Sequence, residues 1–202
     1  MAAKLALEDI VDLRAYERER PDLQRRVLAL KRRRRVAVGP IVTLLFENRE
    51  TIRFQVQEMA RAEKMLQDEQ ILEELEVYNP LIPERGELSA TMFVELTSKE
   101  ELEEWLPKLV GIERSVELRF GDEAVRAEPE QAHEEQLTRE DVTASVHYIR
   151  FQLSPQQVER FAAGPVRLAI DHPAYNHEVE LTDETGAELL ADLRGEPAPA
   201  AG

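Results

Sequence analysis

A chain of 202 residues, 43% hydrophobic and 33% charged, is long enough to bury one complete core, or one domain with a small appendage. It has no cysteine, which excludes a disulfide framework, thiolate chemistry and cysteine-ligated zinc or iron–sulfur sites, so a metal would have to use His, Asp or Glu. The net charge of −15 is divided unevenly: residues 1–40 carry 11 Lys and Arg against 6 Asp and Glu, leaving 15 against 35 for the rest, so a basic front precedes a body that repels nucleic acid.

In chain order, MAAKLALEDIVDL has acids where a leader would keep its apolar segment, and no apolar run approaches the ~18 residues of a membrane span; the expected location is the cytoplasm. Residues 7–16 predict a short helix with Ile10 and Leu13 inward. Pro21 then opens a second helix whose stripe is Leu23, Val27 and Leu30. It ends in the run Lys31 to Arg35. Five cations there complement the helix dipole, dock on the acidic body, or receive an anion or nucleic acid. No aromatic residues are interleaved to stack on bases, so DNA is not the expected partner.

Val36-Ala37-Val38 and Ile41 to Phe46 predict two strands about Gly39-Pro40, and Asn48 is placed to cap the next helix. Thr51 to Tyr78 predicts one long helix with Ile52, Val56, Met59 and Leu66 on its buried stripe, closed by the Asn79-Pro80-Leu81-Ile82-Pro83 turn. Leu88 to Leu96 predicts a central strand. Ser98 and Glu101 form a capping box for a helix with Leu102, Trp105, Leu106 and Leu109 inward, ended by Gly111. Gly121-Asp122 joins two strands as a hairpin. Residues 128–141 predict an exposed acidic loop containing His133. Thr143 to Leu153 alternates as a strand, with His147, Ile149, Phe151 and Leu153 on one face. Ser154-Pro155 starts a helix to Phe161, Val166 to Ile170 is the last core strand, and residues 183–193 make a final helix. The order of elements predicts an α+β fold: a mainly antiparallel sheet against one long helix, in a single domain over residues 1–194 with a basic helical segment at 1–35, then a disordered tail at 195–202.

No phosphate loop, nucleophile elbow or zinc-helix motif is present. The candidate chemistry lies in scattered polar groups. Glu63 falls on the apolar side of the long helix, where a carboxylate needs an arginine, a metal or water, and Gln55 and Glu58 flank it. It reads as a half-exposed or ion-paired Glu, or as a ligand or general base. His147 reads as a core histidine or a ligand, and His172 as part of a proline-stiffened turn or a ligand. Glu63, His147 and His172, with Glu47 of the same chemistry, supply the donor types that iron, manganese or zinc accept, and are expected to line one pocket.

The runs RRVAVGP, LFENRETIRFQVQEMARAEK, YNPLIPERGELSATMFVEL, SVHYIRFQL and IDHPAYNH resemble a bacterial family known as a domain of unknown function, over the chain to about residue 193. The family's relatives tend to be encoded beside rubrerythrin-like iron proteins and iron–sulfur oxidoreductase subunits, which implies redox or oxidative-stress physiology and a redox protein partner. The resemblance carries over no catalytic residue. Its motifs draw attention to Gln55, Gln57, Glu58, Arg61, Glu63, Asn79, His147, Arg150, His172 and Tyr175. Ala6 stands where relatives often have a Thr cap. The expected function is a binding or accessory protein with a polar pocket between the long helix and the sheet, with iron, manganese or zinc as its candidate occupant; the alternatives are an enzyme using that pocket with His147 or Glu63 as base, and a pure interaction subunit.

Overall fold

The computed structural model describes residues 4–130 and 142–196. Nine strands form two antiparallel sheets among these residues. The first has the order β1 (Arg35–Val38), β2 (Val42–Glu47), β3 (Glu87–Val94), β7 (Val146–Gln152), β6 (Glu128–Pro129). The second has the order β5 (Glu123–Arg126), β4 (Val116–Phe120), β8 (Val166–His172), β9 (Tyr175–Glu180). The expected strands and both hairpins are present, and β3 is central between β2 and β7.

One core lies between the sheets. Leu44, Phe46, Ala90, Met92, Ile149 and Phe151 from the first meet Leu118, Phe120, Leu168 and Ile170 from the second. The period-2 alternation decides this, since each of these strands sends every second side chain inward. Helices α5 (Pro155–Ala163) and α6 (Asp183–Arg194) add Val158, Phe161, Leu189 and Leu193 to the same core. Helix α4 (Lys99–Trp105) is opened by its Ser98–Glu101 capping box as expected. The other face of the first sheet is covered by α2 (Arg49–Ala62) and α3 (Asp68–Tyr78), whose Ile52, Val56, Ala60, Ile71 and Leu75 form a second cluster with Tyr148. Over α2 lies α1 (Leu13–Arg34), joined through Tyr16, Leu23, Val27 and Phe54.

Three sequence expectations are corrected. First, Pro21 lies inside α1. Asp12 caps that helix by accepting from Arg14 and Ala15, and residues 7–9 are only a 3₁₀ turn. A proline in mid-helix removes one backbone hydrogen bond at a cost of about 3 kcal/mol. Here Tyr16 and Leu23 are buried on either side of it and hold the helix through.

Second, the single helix 51–78 is two helices. The chain breaks at Glu63–Gln67, where Lys64 takes a left-handed φ of 53°. Lys64 N donates to Arg61 O and Met65 N to Ala60 O at 2.9 Å, the paired bonds of a Schellman ending, with Ala60 and Met65 packed together in the second cluster. The stripe therefore runs Ile52, Val56, Ala60, Met65; Met59 is only half-buried and Leu66 is 82% exposed.

Third, the strand expected at Val166 to Ile170 runs on to His172 as β8 and is not the last. Pro173-Ala174 is a two-residue turn into β9, with His172 opposite Tyr175. The expected acidic loop begins as β6 on the edge of β7. His133 and the rest of that loop lie outside the described residues, as does the tail from residue 197.

Candidate functional site

The singled-out side chains fall into four places. On the side of α2 that faces α1, Glu58 accepts from the Tyr16 hydroxyl at 2.6 Å and from Arg20 through both carboxylate oxygens at 2.8 Å, and Arg61 donates to Glu17 at 2.6 Å. The Arg20 guanidinium holds the Glu58 carboxyl below the usual carboxylate range, and burial pushes the Tyr16 phenol up. These groups lock one helix onto the other.

Between α2, α3 and the sheet, burial raises the Tyr78 phenol pKa, with the neighbouring Gln55 pulling the other way. Glu47 accepts from Thr91 at 2.7 Å and from Thr51 at 2.5 Å, so this buried carboxylate is satisfied by two hydroxyls. The Tyr148 phenol beside it is pushed up to about 12, first by burial and then by the charges of Tyr78 and Glu47. Arg150 donates to Glu87, Glu130 and the Pro80 carbonyl, tying the start of the NPLIP turn to the strand edge.

Across α2 and the turn after α3 lies the segment ahead of α1. The Asn79 amide accepts from Leu5 N at 2.8 Å and donates to Leu5 O at 2.9 Å. Gln57 treats Val11 in the same way, at 3.1 and 2.9 Å. Beside this strap runs an open groove of about 660 Å³ whose walls include Ala6, Leu7, Leu72, Leu75 and Glu76.

On the inner side of the sheet, Tyr175 donates to Val38 O at 2.6 Å and accepts from Ile41 N at 3.2 Å, stapling the β1–β2 turn. Gly39 in that turn has φ +75° and no room for a Cβ against the Tyr175 hydroxyl and His177 ring. His172 Nδ1 accepts from Ala174 N at 3.2 Å, so its Nε2 carries the proton that reaches Val110 O at 3.1 Å. His147 Nε2 lies 2.9 Å from Ala144 O and 3.0 Å from Thr143 Oγ1. A carbonyl only accepts, so Nε2 is again the protonated nitrogen. Its Nδ1 stands 4.0 Å from Glu113 Oε2, a buried oxygen with no hydrogen-bond partner.

The expected pocket of Glu63, His147 and His172 is not assembled. Glu63 is the exposed C-cap of α2, which packs on the Tyr148 face of β7, whereas His147 shares the opposite, inward face with Ile149 and Phe151. Each histidine finds its polar partner in a backbone carbonyl instead. Among the described residues no group of three His, Asp or Glu could hold a metal ion. Sequence reasoning passes over Glu113; an acid directly after the apolar run Leu109-Val110-Gly111-Ile112 is the available signal. It also reads Arg34 only as one of five cations. In the fold Arg33 pairs with Glu188, Arg34 with Glu188 and Asp192, and Arg35 with Glu95, while Lys31 lies 5.5 Å over the Phe54 ring. Most of the basic run thus docks on the acidic body.

Burial lowers the His147 pKa, against the pull of Glu113 and Ala144 O. The unfolded chain therefore binds this proton first, and the stability that depends on a neutral imidazole is complete above about pH 6.5 and is lost as pH falls below it. Urea unfolding of the wild type and His147→Gln at pH 7.5 and 5.5 is expected to show the wild type losing more, on the order of 1 kcal/mol per pH unit. Equal losses in the two proteins would show that His147 carries none of the effect.

The architecture defines an α+β protein of two antiparallel sheets with helical cover, in which most singled-out polar side chains are engaged within the fold and an open apolar groove remains at the strap. No helix among the described residues is long and apolar enough to cross a membrane. The chain belongs to the family described as Protein of unknown function (DUF3501), whose model matches residues 4–193. It is similar to a novel protein of unknown function from Burkholderia pseudomallei K96243 seen in a crystal structure: 35% identity, TM-score 0.87, covering 95% of this chain and 100% of that one. No curated protein matches the chain.

Proposed function

We propose that this is a binding and accessory protein that docks a protein partner in the groove between residues 4–8 and α3. The observation that carries the reading is the character of that groove: Leu72 in its wall is 47% exposed, Glu8 and Glu76 line it together with Lys4, whose ammonium is engaged by the Ile82 carbonyl, and Glu69 is exposed one turn before Leu72. An apolar floor with an acidic border selects a segment that carries an apolar anchor and basic residues, because opposite charge steers the encounter and like charge rejects the wrong partner. The redox setting implied by the family resemblance makes a redox protein the partner class of choice. Duplex DNA has no place in this reading, since Arg33, Arg34 and Arg35 already pair with the body's own acids.

Leu72→Glu in the full chain is expected to abolish retention of the partner from extracts of the source cells, with an unchanged melting temperature. Undiminished retention would contradict the docking surface. Stoichiometric iron, manganese or zinc in protein purified without an affinity tag would replace this reading with a metal-dependent one.

A further inference from the structure

The strap is held in an unusual way. Asn79 and Gln57, the latter 1% exposed, each grip both the N–H and the C=O of one strap residue, Leu5 and Val11. Such bidentate amides recognise backbone whatever side chain it carries. Sequence selection is added at two points. Lys4 Nζ donates to Ile82 O at 2.7 Å, where burial first, and then Arg150, lower its pKa against the pull of Glu84, Glu87 and Glu130, and Leu5 is buried against the second cluster. Arg53 holds Asp9 O at 2.7 Å between the two grips. Together these are the parts of a peptide-recognition site: backbone clamps six residues apart, a cation site and one apolar pocket.

The chain's own segment fits that site incompletely. Ala6 is exposed and leaves the neighbouring wall of Leu72 and Leu75 as an open groove. A larger apolar side chain at that position would cover it. We infer that residues 4–11 occupy a peptide-binding groove in cis, and that the partner is a linear protein segment that replaces them, with a Lys or Arg, then a leucine, then a large apolar residue in the place of Ala6. This rests on the docking reading above for the wall of Leu72, Leu75 and Glu76, which stays when residues 4–8 leave, and it names the chemistry of the partner.

The test uses the full chain carrying Leu5→Asp, which loosens the strap, and fluorescein-labelled peptides with the sequence of residues 2–12, one of them with Ala6→Phe. The tethered strap competes at an effective concentration on the order of millimolar, so Leu5→Asp is expected to bind either peptide at least ~10-fold tighter than the wild type does. The Phe peptide should bind tighter than the Ala peptide, and adding Asn79→Ala should weaken both ~10-fold or more. A folded Leu5→Asp protein that binds no better than wild type, or binding indifferent to Asn79→Ala, overturns the inference. So does a concentration-dependent dimer with exchanged straps, which would assign the groove to a second copy. Should Leu5→Asp not fold, hydrogen exchange of the wild type decides: the Leu5 and Val11 amides are expected to exchange ~100-fold faster than that of Ile52, and exchange only with the slowest core amides overturns a displaceable strap. Partner loss in Leu72→Glu with no peptide binding to Leu5→Asp leaves docking standing and removes the strap replacement; partner retention in Leu72→Glu removes the docking reading itself.

Discussion

Arg34→Ala is expected to lower the free energy of unfolding by about 3–5 kcal/mol, because it removes one partner of a buried ionic network. Arg34 is 0% exposed and Glu188 2%. Its guanidinium donates to Phe46 O at 2.9 Å, Glu47 O at 3.2 Å and Glu188 at 3.1 Å, and contacts Asp192. Without it two carbonyls lose a donor, and Glu188 keeps only Arg33. Burial already raises the Asp192 pKa, with Arg34 pulling the other way, so that carboxyl would be driven further toward its neutral form. Arg34→Lys keeps the charge but loses the planar fork, and an intermediate loss is expected. Urea unfolding at pH 7 gives the values. A loss below about 1 kcal/mol for Arg34→Ala would show that the network contributes little beyond what packing supplies.

The second large effect separates two adjacent residues. Met65→Ala is expected to cost about 2–5 kcal/mol and Leu66→Ala less than about 0.5 kcal/mol, because only the first removes buried volume. Met65 is 7% exposed and Leu66 82%. A helix continuous from 51 to 78 would place Leu66 on the buried stripe and reverse the order, so equilibrium unfolding of these two variants tests the break directly.

That break explains how far the sequence can be read. Gly39-Pro40, Gly121-Asp122, Ser98 with Glu101 and Ser154-Pro155 each carry local chemistry that permits few backbone solutions, and the hairpins and helices they predict are present. The left-handed residue between α2 and α3 is Lys64, with no glycine to announce it; the ending is stabilised by the burial of Ala60 and Met65 in the second cluster. Pro21 misleads in the opposite direction, since its usual position at a helix start is overridden by packing on both sides. The histidines can be recognised as needing polar partners. Nothing in a linear sequence says whether the partner is another side chain or, as for His147 and His172, a backbone carbonyl brought close by the fold. Asn79 and Gln57 stand out as candidates in the sequence, but their shared role appears only when residues 5 and 11 lie across them.

The docking surface is tested most directly by a photo-reactive amino acid placed in the full chain at position 72, with a control at Glu159, which is exposed on α5. Irradiation in source cells is expected to give one dominant adduct from position 72 that is missing from position 159, with the cross-linked partner peptide carrying a basic residue and a leucine. The same adducts from both positions, or none from position 72 while a partner is still retained, would contradict the assignment of this groove as the site where the protein works.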